Sequence, residues 1–488
     1  MNAAIRHAGY LLICAALAAC GGGGGSSPAT DAIVPSASLA GLCAAPRQGS
    51  NDRSGTLADE KRWVRAWIDE TYLWYDEVPA DLMASTYATP VDYFDVLKTP
   101  AKTPSGRPKD RYHFTLDTAQ YLAMQDSGVL IGYGMEIAVI RAAPPRELRV
   151  ATVGPGTPAA VAGVARGDQL LMADGVEVSG GSADAINAAL APSRTGEQHR
   201  FSFGRKDGSV AQVTLTSAAV TTIPVPTVKT IASANGLVGY LLFDEHSEPA
   251  EAQLISAIGR LKAAGVNELV LDLRYNGGGV LAIASQLAFM VAGPATTQGK
   301  TFERLISNRK NPFKFTASQA SMPFYGSTLG FSVPAGQSLP QLGLSRVTVL
   351  TGPDTCSASE SIINSLRGVG VQVDLVGGTT CGKPYAFIPQ DNCGTTYFAI
   401  QFQGVNELGQ GDYGDGFAPG CAVADDFDHA LGDPVEARLA AALAMRAGGA
   451  CPAAPAAGSQ KPTAAGAEAP YLRRMPLREI KRIDRPLP

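Results

Sequence analysis

The apolar positions of the chain follow three rhythms. From Asp59 they recur at helical spacing, and Trp63, Trp67 and Trp74 are expected on one buried helix face. A second short helix is expected over 92–97. From Asp126 to Val220 the pattern shortens to β-rich runs broken by glycine turns, as in GVLIGYGMEIAVI and RELRVATVGPGTPAAVAGVARGDQLLMADGVEV. Within it, 157–163 reads as a short helix closed by Gly163, and Ala173-Asp174-Gly175 as a turn. From about Thr227 apolar strands alternate with helices. Strands are expected over 237–243, 269–273, 347–350 and 371–376. Helices are expected over 250–264, over 280–291, and through Ile362, Ile363 and Leu366. Buried strands with intervening helices predict βαβ units and a largely parallel sheet.

The rhythms fail at both ends. Residues 1–19 carry a weakly basic start at Arg6 and an apolar stretch from Tyr10 to Ala19, too short for a membrane span, so an export signal is expected. It ends in Leu17-Ala18-Ala19-Cys20, which resembles a bacterial lipobox, with Cys20 as the lipidated first residue and sole anchor to a bilayer. Gly21 follows, which favours the outer over the inner membrane. Residues 20–55 read as a flexible Gly/Ser/Pro-rich tether and 447–488 as a disordered, finally basic tail. The segment 292–345 is a Pro/Gly-rich insertion without a readable role.

At 488 residues more than one core is required, and 45% hydrophobic with 17% charged residues fits a folded body. A net charge of -4 gives no reason to expect nucleic acid. Without Cys14 and Cys20, six cysteines remain: Cys43, Cys356, Cys381, Cys393, Cys421 and Cys451. In an exported chain an even number suggests disulfides. The expected arrangement is one bond tying Cys43 to Cys451 and two among the other four. No zinc-ligand spacing is present, and no metal or other cofactor is expected.

Chemistry is expected beyond the carboxyl ends of the parallel strands. Three segments fall there: 276–279, 356–360 and Gly382-Lys383. Four serines stand in nine residues, at 357, 359, 361 and 365. A serine nucleophile needs a base. His246 and His429 are the histidines of the sheet region, and neither stands in a triad pattern. Lys383 is the alternative base, but must be neutral to act. The plainer reading of Lys383 is a solvated loop lysine. The spacing Gly377-Gly378-Thr379-Thr380-Cys381-Gly382-Lys383 imitates a phosphate-binding loop, but Pro384 stands where Ser or Thr is needed, and no helical period follows; no nucleotide is expected. The loop 409–416 reads as a turn-rich rim of the site, without the acidic spacing of a calcium loop.

Two resemblances organise these readings. PAAVAGVARGDQLLMADGVEV resembles a PDZ domain, assigned to 126–222. That implies capture of polypeptide C-termini by strand addition, with the carboxylate on the loop Gly132, Tyr133, Gly134 and Met135. TCSASESIINSL, LVGGTTCGKP and the run Asp272-Leu273-Arg274-Tyr275-Asn276-Gly277-Gly278-Gly279 are similar to the C-terminal processing (tail-specific) peptidases. The resemblance covers roughly residues 59–446. It implies a multidomain fold: a small helical domain (56–125), the PDZ domain, and a mixed α/β domain (223–446) of ClpP/crotonase-like type. It also implies a serine endopeptidase acting on unfolded or C-terminally exposed chains, and the export signal and lipobox lead one to expect it on the periplasmic side of a bacterial membrane. Ser357 would be the nucleophile and Lys383 the base, with the backbone N–H groups of Gly278 and Ala358 as the oxyanion hole. Ser359 and Ser361 read as capping residues, and Glu360 as an acid suited to the helix start. One position departs from the pattern: Phe387 stands where the family has a glutamine that orients the lysine, with Gln390 and Gln401 as substitutes. Cys356 and Cys381 flank the two catalytic candidates. The alternative from another class is a non-catalytic peptide- or ligand-binding lipoprotein on the same fold.

Overall fold

The structure is a computed structural model, and it describes residues 34–119, 121–122 and 129–452. Cys20, the signal, the first part of the tether and most of the tail lie outside these residues.

Helix α1 (Leu57–Thr71) starts at a capping box, in which Thr56 and Asp59 each accept from the other's backbone N–H. Its inner face carries Trp63, Val64, Trp67 and Ile68, and the two indoles stack at 5.6 Å. Trp74 is not on that face. The helix stops at Thr71, Tyr72 is extended, and Trp74 packs edge-on against Tyr385 at 4.9 Å. Helix α2 (Pro90–Val96) repeats the capping device with Thr89 and Asp92. The core of this region includes Tyr385, Tyr397, Ala399 and Ile400 from far along the chain. Strand β1 (Phe114–Asp117) pairs with Thr395–Phe398 in the same way. The helical unit is thus built onto the α/β domain.

The tether expected over 20–55 does not hold for its described half. Residues 42–43 pair with 53–54, Arg47 bridges Asp52 and Asp391, and Leu39 and Cys43 are buried. Two apolar side chains and one covalent bond anchor a segment whose average composition suggests none.

Next comes an antiparallel sheet of β2 (Met135–Arg141), β3 (Glu147–Val153), β4 (Gln169–Ala173), β5 (Gln198–Gly204) and β6 (Val210–Thr216), ordered β6-β5-β4-β3-β2. Helix α3 (Ala183–Leu190) contributes Ile186 and Ala189 to a core with Leu148, Leu170, Phe201 and Phe203. Val129–Gly132 and Ala218–Thr221 form an antiparallel ribbon where the chain enters and leaves this unit. β2 is the edge strand of the larger sheet.

The third unit has a six-stranded sheet of β7 (Thr227–Ser233), β8 (Gly236–Leu242), β9 (Glu268–Asp272), β10 (Arg346–Thr351), β11 (Gln372–Gly377) and β12 (Cys421–Ala422), in that spatial order. β7 runs antiparallel to β8, and the other pairs are parallel. Side chains alternate between two cores, as a pleated strand buried on both faces requires. Leu241, Leu271, Val349 and Leu375 meet helices α4 (Ala250–Ala263), α5 (Leu281–Ala292) and α6 (Ala358–Gly368). Tyr240, Val270, Leu350 and Val376 meet α7 (Ala437–Arg446) on the opposite face. The insertion 292–345 covers the first core: Met322, Phe324, Leu339 and Leu344 are buried in it. The Glu251 carboxylate holds this cover down by accepting from Leu329, Phe331 and Ser332 N–H.

The disulfides are Cys43–Cys393, Cys356–Cys381 and Cys421–Cys451, not the expected arrangement. Cys393 sits in the tight turn between Gln390–Asn392 and Thr395–Phe398, the hairpin that packs onto the N-terminal region. Cys451 follows α7, whose core also contains Cys421. Among the described residues no helix is long and apolar enough to cross a membrane.

Candidate active site

Ser357 is the junction between β10 and α6. Its backbone is at φ 60°, ψ −117°, an unfavoured region for a residue with a Cβ, of the kind found at functional turns. The side chain is fully buried, and Oγ has no hydrogen-bond partner among the described residues. Ala358 opens the helix, so its N–H has no carbonyl ahead of it within the helix. The neighbouring serines do not cap. Ser359 Oγ donates to the Asn276 carbonyl at 3.0 Å, and Ser361 Oγ to the Ser357 carbonyl at 3.3 Å.

Glu360 is the hub of the site. Oε2 accepts from the backbone N–H of Ser357 at 3.0 Å and of Lys383 at 2.8 Å. Oε1 accepts from Gly382 N–H at 2.8 Å and Thr380 Oγ1 at 2.5 Å. One carboxylate therefore joins the serine turn to the lysine loop. Burial pushes the Glu360 carboxyl up, and these donors work against that shift. The Ser-x-x-Glu spacing carries this signal in the sequence, since a capping-box acid reaches back to the N-cap N–H. The sequence does not reveal that the same acid also serves a second loop.

Lys383 is not a solvated loop residue, because its side chain is fully buried. Nζ stands 4.6 Å from the ring centroids of both Tyr112 and Phe387. The N-terminal region grips the lysine loop from outside. Arg107 and Arg111 donate to the Cys381 carbonyl at 2.9 and 3.0 Å, and Tyr112 Oη to the Gly382 carbonyl at 3.2 Å. After Lys383 the chain enters a short strand, Tyr385–Ala386, rather than the helix of a phosphate loop. The loop 409–416 packs on the same segment, and Asp415 accepts from Ser105 N–H at 3.1 Å. Of the two glutamines, Gln401 accepts from Ile388 N–H at 2.7 Å, and Gln390 is exposed.

The glycine run completes the wall. Gly278 lies at φ 108°, and a Cβ there would sit 2.8 Å from Ser357 Cβ, so only glycine allows this approach. Its N–H donates to Asn276 Oδ1 at 3.0 Å, so service to an oxyanion requires that this bond be shared or exchanged. The same oxygen lies 3.0 Å from His246 Nδ1. Burial pushes the His246 imidazole down to about 3, so at neutral pH it is uncharged and able to donate from Nδ1 to Asn276. The sequence gives no sign of this, because His246 belongs to no motif.

Metal ligation finds little support. Among the described residues, the group with metal-ligand spacing is Cys356, Glu360 and Cys381, and its two sulfurs are bonded to each other.

In the antiparallel unit, Gly132, Tyr133, Gly134 and Met135 form the turn into the edge strand β2. Tyr133 is buried and its Oη donates to the Ala189 carbonyl on α3 at 2.9 Å. Gly134 lies at φ 74° against Thr157, where a Cβ would collide. The turn is thus braced on both sides while β2 keeps one edge open.

Comparison with known proteins gives three matched segments. Residues 59–114 match the peptidase S41 N-terminal domain, 149–204 a PDZ domain, and 237–388 peptidase family S41. A carboxyl-terminal-processing protease of Picosynechococcus sp. is 28% identical over 288 residues, covering 56% of this chain and 60% of that protein. The chloroplastic C-terminal processing peptidase of Tetradesmus obliquus is 26% identical over 321 residues, covering 62% and 59%. The chain thus spans about 60% of the length of the curated relatives it matches. A crystal structure assigned to the S41 proteases, from Bacteroides fragilis, superposes with a TM-score of 0.59 at 23% identity, over 79% of this chain and 97% of that one. At that identity the likeness speaks for the fold.

Proposed function

The chain belongs to peptidase family S41, and on that premise we propose that it is a serine endopeptidase with Ser357 as nucleophile and Lys383 as general base. The observation that carries the reading is the shared Glu360 oxygen, which brings the backbones of Ser357 and Lys383 to one point. Ser357 Oγ attacks the peptide carbonyl while Lys383 Nζ takes its proton. The oxyanion is received by Ala358 N–H at the positive end of α6, with Gly278 N–H opposite. Lys383 then returns the proton to the leaving amine, and water releases the acyl group. Burial of Lys383 supports this role, since removal from water disfavours the ammonium relative to the amine.

Substrate capture is assigned to the PDZ unit. A polypeptide terminus adds to the open edge of β2, with its carboxylate on the N–H groups of the 132–135 turn. Unfolded chains fit, because strand addition needs an extended partner. We infer export and anchoring at Cys20 as well. The support is the basic-apolar start ending at Cys20 and three disulfides, which persist in oxidising compartments.

The test is cleavage of an unfolded protein with an apolar C-terminus by the wild type, Ser357→Ala and Lys383→Ala. Both variants are expected to lose cleavage by at least about a thousandfold while still binding the substrate. A pure wild type that binds and never cuts would replace the enzyme by a binding protein on the same fold.

A further inference from the structure

We propose that Tyr112 and Phe387 form an aromatic cradle that positions the Lys383 amine and stabilises it once it has taken the serine proton. The inference rests on the Ser357–Lys383 reading and identifies two positioning residues for it. Nζ lies 4.6 Å from each ring centroid, within the range of a cation held by the negative face of an aromatic ring. Neither ring is free to turn away. Phe387 is fully buried and packs edge-on against the stacked pair Phe114 and Phe398, at centroid distances of 6.1 and 5.5 Å. Tyr112 is tied by its hydroxyl to the Gly382 carbonyl at 3.2 Å and receives Arg111 Nη2 at 3.0 Å. One ring comes from the N-terminal region and the other from the α/β domain, so the cradle exists only when the two are packed together.

This accounts for Phe387 at the position where the resemblance leads one to expect glutamine. A glutamine carbonyl accepts one directed hydrogen bond from the lysine. A ring face accepts no directed bond, but attracts positive charge at any rotation of the ammonium. Lys383 gains that charge as Ser357 Oγ attacks. The attraction is therefore stronger in the transition state than in the resting enzyme, which is what accelerates a step.

The consequence is visible in pH dependence. Rings favour the ammonium, so removing one makes Lys383 lose its proton at lower pH. The other charged or titratable groups facing this pocket are Glu360 on α6, Asp110, Arg107, Arg111 and the Tyr112 phenol from the N-terminal region, Tyr385 on the short strand after the lysine, Glu303 on the strand Thr301–Ser307, and Asp412, Tyr413 and Asp415 from the loop 409–416. All of these remain in a Phe387 variant, so the difference between variants reports the ring.

The experiment is the pH profile of kcat/KM for the wild type, Phe387→Leu, Phe387→Tyr and Tyr112→Leu. Phe387→Leu is expected to move the acidic limb down by about half a unit to one unit, with kcat lower by roughly three- to tenfold. Phe387→Tyr keeps a ring and restores the wild-type limb. Tyr112→Leu, on the opposite side of the amine, gives the same shift and serves if Phe387→Leu does not fold; near-ultraviolet circular dichroism establishes folding. A folded, Lys383-dependent leucine variant with an unmoved limb overturns the cradle. A wild type that does not cleave, or cleavage that survives Lys383→Ala, overturns the dyad instead.

Discussion

At the scale of single residues, Glu360 and His246 carry most of the site's unnoticed structure. Glu360 accepts from four donors with two oxygens. Glu360→Gln keeps the shape but turns an amide NH2 toward at least one of those N–H groups. Each buried donor left unpaired costs about 1–3 kcal/mol. The variant is expected to melt several degrees lower and to lose kcat by tenfold or more; a full-rate Glu360→Gln enzyme would reduce the carboxylate to a spectator. His246 acts through Asn276. Its folded value of about 3 lies below its ordinary 6.5, so the folded state resists the proton that the unfolded chain accepts. Its contribution to stability is therefore present above about pH 6.5 and is lost as the pH falls toward 3, at up to about 1.4 kcal/mol per pH unit. Urea titrations across that window are expected to show the slope in the wild type and to lose it in His246→Gln. Identical slopes would place the acid sensitivity elsewhere.

Among the elements, the strands and helices of the α/β sheet are the part most legible from the pattern of apolar residues. β8, β9, β10 and β11 are buried on both faces, so continuous apolar runs mark them, and their parallel pairing follows from the helices between them. The Ser and Lys motifs are legible for the same reason, since they follow such strands. Trp74 is misplaced because a regular helical period continues past Thr71 in the sequence, whereas the backbone turns to pair Leu73 N–H with the Ile400 carbonyl. The disulfides are illegible because pairing depends on which distant turns meet. The Cys356–Cys381 bond has a consequence at this scale: it fastens the start of α6 to the lysine loop, across 25 residues of sequence. A cross-link of that span contributes about 3–4 kcal/mol by restricting the unfolded chain. Cys356→Ala/Cys381→Ala is expected to lower the melting temperature and to reduce cleavage while the other two bonds stay intact. Unchanged cleavage by the double variant would show that Glu360 and the backbone bond from Cys381 N–H to the Thr355 carbonyl are enough to hold the two loops together.

For the whole molecule, the decisive contacts join units that the sequence reads separately. Arg166 leaves the PDZ unit and inserts beside the α/β domain, donating to Tyr275 Oη at 2.8 Å and to Asp425 at 3.0 Å, with its guanidinium 4.8 Å from the Phe427 ring. Burial raises the Asp425 carboxyl, but Arg438, Arg274 and Arg166 outweigh it and hold it at about 2. Asp425 keeps Arg274 and Arg438 when Arg166 is removed, so losing this partly exposed arm of the cluster costs about 1.5–3 kcal/mol, the range of a hydrogen bond to a charged group. Arg166→Ala is expected to split thermal unfolding into two transitions, the PDZ unit melting first; a single unshifted transition would mean that the units are held by other contacts. The Cys43–Cys393 bond spans 350 positions and encloses the helical unit, the PDZ unit and most of the α/β domain. Topologically, residues 43–393 form a covalent ring rather than a string. Cutting a ring once opens it without dividing it. A single nick in any loop between the two cysteines leaves one covalent molecule, whose two pieces lose their covalent link only when reductant is added.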